Sequence, residues 1–234
     1  MKTILSSKGN RLAAAITCAP LALWLLTGCN TAGYQKGDTA AASLRDAAAE
    51  VQTESRDLEY CLATLRNLVN TPQGDLKVQY KRFTKALAQV EASAAKNNKI
   101  ATQVAQKNAA YFQAWNNQLT NMNYEAVRNI SEARKAEVST RFDAVNKRYE
   151  EARTAMDPVL SYLNDIRKAL AVDLTTGGLT SVRPLVQNAE ANSAKVQTAL
   201  ARLTTELNNS SSQLASVSFQ TPGVVGTNAN TARR

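Results

Sequence analysis

The sequence predicts an all-α protein, an elongated antiparallel helical bundle with long coiled-coil-like helices. Three observations carry that expectation. From residue 39 to about 208, apolar residues recur at alternating spacings of four and three. Breaker-rich stretches and one lapse in the pattern cut this region into four segments, and short connections make antiparallel neighbours. No strand-like alternation and no internal repeat of fixed period stands against this.

Before the helical region, the first eleven residues carry Lys2, Lys8 and Arg11 with no acid, and they lead into the apolar run LAAAITCAPLALWLL at 12–26. This is the layout of a secretory leader, too short for a comfortable membrane span. Leu26-Thr27-Gly28-Cys29 follows and resembles the lipobox of bacterial lipoproteins. That resemblance makes residues 1–28 a cleaved lipoprotein signal and the Cys29 thiol the atom that takes the lipid. Several acyl chains would then hold the protein stably to a bilayer. Asn30 stands where an aspartate would imply retention at the inner membrane, so the expected location is the outer membrane, facing the periplasm. Residues 29–38, CNTAGYQKGD, read as the lipidated cysteine and a tether, 39–208 as the helical domain, and 209–234 as a disordered tail.

In the first helical segment the stripe is Leu44, Ala48, Val51, Ser55, Leu58, Leu62, Leu65 and Val69, ended by TPQGD at 71–75. The second, from about 75 to 122, carries Leu76, Tyr80, Phe83, Leu87, Val90, Ala94, Asn97, Ala101, Val104, Asn108, Tyr111 and Trp115. Its two asparagines favour a loosely packed stretch near solvent; the other reading is a polar pair that fixes register. The third carries Val138, Phe142, Val145, Tyr149, Ala152, Met156, Val159, Leu163, Ile166 and Leu170. The phase holds through Pro158, which predicts one long kinked helix instead of a restart capped by Asp157. DLTTGG at 173–178 ends it, with two glycines available for a left-handed cap. The fourth stripe is Val182, Val186, Ala189, Ser193, Val196, Leu200, Leu203 and Leu207. At ~1.5 Å per residue the central pair reaches roughly 70 Å each and can project beyond the shorter outer pair.

GDLKVQY at 74–80, AYFQAWNNQL at 110–119 and AMDPVL at 155–160 resemble a family of helical bacterial envelope proteins known only as a domain of unknown function. The resemblance covers roughly residues 40–190. It implies a secreted or lipid-anchored helical protein and carries over no activity, ligand or cofactor.

Composition narrows the chemistry. The chain has no histidine, which removes Ser-His-Asp and Cys-His triads, His-ligated zinc and the usual neutral-pH base. With Cys18 in the leader and Cys29 lipidated, Cys61 is the single remaining thiol, beside the first stripe; small apolar packing is its expected role and an intermolecular disulfide the alternative. Beyond the leader, 25 basic residues stand against 19 acidic ones. Lys81, Arg82, Lys85, Lys96 and Lys99 fall at outward b, c and f positions of the second segment and form a basic face. Such a face is solvated or attracts anionic lipid or wall polymer; nucleic acid is absent from the compartment that the leader implies. The mixed charges of the third segment predict pairing within the helix. Tyr111, Phe112 and Trp115 are expected to pack in the core or a turn, with a partner-binding patch as the alternative. Together these features predict a non-enzymatic, lipid-anchored envelope protein with a structural or interaction role, no metal and no cofactor. Binding of an anionic polymer through the basic face is the second reading, and a carboxylate-based hydrolase the weakest.

Overall fold

Each break in the apolar pattern is a turn whose residues end one helix and start the next. The computed structural model describes residues 33–216, which form four helices: α1 Gly33–Asn70, α2 Leu76–Thr120, α3 Glu125–Val172 and α4 Thr176–Leu214. The expected signal, Cys29 and residues 217–234 lie outside the described residues. Between α1 and α2, Gly74 has φ +61, a conformation that strains residues with a side chain. Asp75 then caps α2 by accepting the Lys77 N–H at 2.9 Å. The left-handed glycine cap expected after α3 does not form. Gly177 and Gly178 lie in the first turn of α4, where the Thr175 hydroxyl accepts the Gly178 N–H at 3.2 Å. A Cβ on Gly178 would lie 2.1 Å from the Asp173 carbonyl oxygen, so this glycine serves close approach.

Side-chain links across the helices show the antiparallel register. Along α1, Ala41, Ser55 and Arg66 meet Ser211, Gln197 and Glu190 of α4 in descending order. Along α2, Tyr80, Glu91 and Trp115 meet Arg167, Asn164 and Ser131 of α3 in the same sense. The α1 backbone packs beside α2 and α4, α3 packs beside the same two, and the diagonal pairs do not approach. The four helices therefore form a ring around one shared core.

All ten residues of the predicted α3 stripe are buried, and the helix continues through Pro158. All eight of the predicted α4 stripe are buried too. The α1 face is wider than a coiled-coil seam. Besides most of its predicted stripe, it buries Ala47, Glu54, Cys61 and Leu68, because a helix in a four-membered ring touches two neighbours and the centre. Helix α3 instead carries its own ion pairs, Glu137 with Arg134 and Arg141, Glu151 with Arg148, Glu150 with Arg153 and Asp165 with Lys168. These match the expected intrahelical pairing.

Three further expectations are corrected. Residues 33–38 of the expected tether are helical, as are 209–214 of the expected disordered tail. The two segments hold each other. The Ser211 hydroxyl donates to the Ala41 carbonyl at 2.8 Å, and the Asp38 carboxylate accepts the Ser216 N–H and hydroxyl at 2.8 and 2.9 Å. Those two bonds also hold the Asp38 carboxyl below its ordinary range. Third, the α2 asparagines are not in a loose stretch near solvent: Asn97 and Asn108 are each only 5 % exposed. The Asn97 amide donates to the Glu54 carboxylate at 2.5 Å and to the Glu50 carbonyl at 3.3 Å.

Candidate functional site

Two regions concentrate chemistry. The first is inside the bundle, where Glu54 of α1, Asn97 of α2, Tyr149 of α3 and Leu203 of α4 line a cavity of about 20 Å³. Burial raises the Glu54 carboxyl above its ordinary range; the Asn97 amide opposes the rise and the Asp57 charge adds to it. Burial, then the Glu54 charge, likewise pushes the Tyr149 hydroxyl upward. Asn97 Oδ1 and the Tyr149 hydroxyl have no hydrogen-bond partner among the described residues. The cavity has room for about one water molecule beside the buried carboxyl. Its arrangement suits register: sliding α1 past α2 by one turn would strand both Glu54 and Asn97, at about 1–3 kcal/mol per unsatisfied group.

The second region is the end of the bundle where α1 begins and α2 turns into α3. Gly33, Tyr34, Tyr111, Trp115, Gln118 and Met122 line an open groove of about 280 Å³. The Tyr111 ring lies 5.4 Å from Trp115 and 5.7 Å from Phe112, which meets Phe142 edge-on at 5.6 Å. A Cβ on Gly37 would sit 3.3 Å from the Tyr111 ring, so α1 is small where α2 is bulky. The expectation that these aromatics pack against the core holds for Tyr111, Phe112 and Trp115, all partly buried there. Trp115 and Tyr111 also wall the groove.

The basic face lies elsewhere. Lys81, Arg82, Lys85, Lys96 and Lys99 are all exposed on α2. Lys96 is engaged by Glu50 of α1 at 2.7 Å, while Lys81, Arg82, Lys85 and Lys99 have no carboxylate at ion-pair distance among the described residues. Cys61 is fully buried and its thiol is pushed up to about 12, by burial first and the Glu91 charge second. A thiol so placed is inert and packs as a small apolar group. The expected lipidation site, Cys29, precedes the described residues. Glu54 escaped the sequence reading because a strict seam leaves it at the flank. Its spacing of three from Val51 and four from Leu58 places it on the wider apolar face. No helix among the described residues is long and apolar enough to cross a membrane.

Residues 26–217 match the model of a family described as protein of unknown function (DUF2959). The chain belongs to that family. The match extends beyond the 40–190 span that the motifs outlined and takes in every described helix. No curated protein and no solved structure matches the chain.

Proposed function

We propose that this member of the DUF2959 family is a non-enzymatic, lipid-anchored protein of the bacterial envelope, held at the outer membrane facing the periplasm, with a structural or interaction role. The observation that carries the reading is Leu26-Thr27-Gly28-Cys29 at the end of a basic-then-apolar leader. A non-enzymatic role is supported by the lack of histidine and by the burial of Glu54 beside a cavity with room for about one water molecule. The test is mass analysis of the protein purified from membranes, alongside partner crosslinking in cells expressing wild type or Cys29→Ser. The expected result is a lipid-modified Cys29 as first residue, partner adducts for wild type, and release of the serine variant from the membrane fraction. An intact Met1 in a soluble extract sinks the reading.

A second reading is favoured by the four basic side chains of α2 that lack an acidic neighbour. Lys81, Arg82, Lys85 and Lys99 present an uncompensated positive face to anionic lipid or wall polymer. Attraction of this kind is screened within about 10 Å at 0.1 M salt. Retention by anionic vesicles at low salt and release at high salt is therefore the expected behaviour, and equal retention by neutral vesicles counts against it.

A further inference from the structure

We propose that the end of the bundle formed by the start of α1 and the α2–α3 turn is a seat for the interfacial layer of a phospholipid bilayer, where headgroups meet acyl chains. Large apolar side chains are left in solvent at this end. Tyr34 is 64 % exposed, Tyr124 78 %, Val127 54 % and Ile130 73 %. Tyr124, Val127 and Ile130 follow one another at spacings of three over the first two turns of α3, which keeps them on one side of that helix. The aromatic groove opens at the same end, because Met122 of the α2–α3 turn and Tyr34 of α1 both line it. Trp115 satisfies its one polar atom internally, donating from Nε1 to the Ser131 hydroxyl at 2.8 Å.

The chemistry selects the occupant. Tyrosine and tryptophan present an apolar ring with a polar handle and collect at the membrane–water boundary. Toward the opposite end, the exposed large apolar side chains are Val78, Val172 and one aromatic, Tyr60 of α1. Position along the chain points the same way. Cys29 is four residues from Gly33, a reach of at most about 14 Å when fully extended. On the lipid-anchor reading, on which this inference rests, chain connectivity keeps the acyl chains within that reach of the start of α1. Charge does not drive the contact: Glu125, Arg128 and Glu132 mix signs here, and the Arg128 guanidinium is turned inward onto the Met122 carbonyl at 2.7 Å. Contact at this end is therefore insensitive to salt, unlike contact through the basic face of α2.

The sequence holds two tryptophans, Trp24 and Trp115. In a Trp24→Phe background, Trp115 is the sole indole whether or not the leader is removed. The experiment uses that protein, purified from membranes and mixed with phosphatidylcholine vesicles with or without brominated acyl chains. The expected result is a blue shift of Trp115 emission on vesicles and its quenching by the brominated lipid, both unchanged in 0.5 M salt. Tyr124→Ser, Val127→Ser and Ile130→Ser combined retains the helical circular dichroism spectrum, since these side chains are exposed, and loses the quenching while the anchor keeps the protein on the vesicles. Emission from Trp115 that ignores brominated lipid while the protein sediments with vesicles overturns the seat. Emission that changes with protein concentration and not with lipid assigns the surface to a second copy and overturns it too. The mass of Cys29 in the same preparation separates the two readings. An unmodified cysteine removes the anchor, and the quenching still decides the seat.

Discussion

The middle of the bundle and its α1-proximal end invert each other. In the middle, Glu54, Asn97 and Tyr149 bring polar atoms into a largely apolar core. At the end, Tyr34, Tyr124, Val127 and Ile130 stand in solvent although nothing polar requires them there. Buried polar groups cost stability and are kept where they decide which helix meets which, and in what register. Exposed apolar groups contribute little to folding and are kept where something else covers them. On the proposed reading, one region works on the chain's own helices and the other on a bilayer.

The largest effect that tests this contrast comes from Leu58, fully buried one turn from Glu54 on the same face of α1. Leu58→Ala is expected to lower stability by about 2–5 kcal/mol, read from urea or guanidinium unfolding. A loss under 1 kcal/mol would mean that the surroundings of the polar cavity are loosely packed and that the middle is not a register lock. Next comes Asn97→Ala, which leaves the Glu54 carboxyl without its amide donor and costs about 1–3 kcal/mol. If the asparagine selects register, disulfide trapping between cysteines placed on α1 and α2 will also detect shifted pairings that wild type lacks.

The smallest effect depends on pH. Burial raises the Glu54 carboxyl above its unfolded value of 4.5. The folded protein therefore binds more protons than the unfolded chain between that value and the raised one, and this group's contribution to stability falls as pH rises through the window. Glu54→Gln keeps an acceptor for the Asn97 amide and removes the titration. Its stability relative to wild type is expected to increase from pH 4.5 upward and then level off. A difference that is flat in pH would show that the carboxyl is hydrated rather than buried.

Much of this architecture is legible in residue order. The α3 stripe is complete because that helix presents one narrow apolar face, with its charges paired along its own surface, so a four-three spacing describes it fully. Helix α1 is read less well. It buries Ala47, Glu54, Cys61 and Leu68 next to the predicted stripe, and the width of a buried face depends on how many neighbours a helix acquires. Asn97 looks like a sign of looseness in a list of stripe residues; only the arrival of Glu54 from α1 gives it a partner. Residues 209–214 look like a solvated tail for the same reason. Serines carry no hydrophobic signal, yet the small side chains of Ser210 and Ser211 fit against the start of α1.

Local chemistry, written in order along the chain, determined the helical class, the four segments and their turns, since periodicity, capping and breaking act over a few residues. Tertiary structure decided which polar residues are buried together, how far the outer helices extend, and that aromatic side chains from three helices gather at one end. Those outcomes depend on contacts between residues 16 to 178 positions apart, and such contacts exist only once the helices have packed.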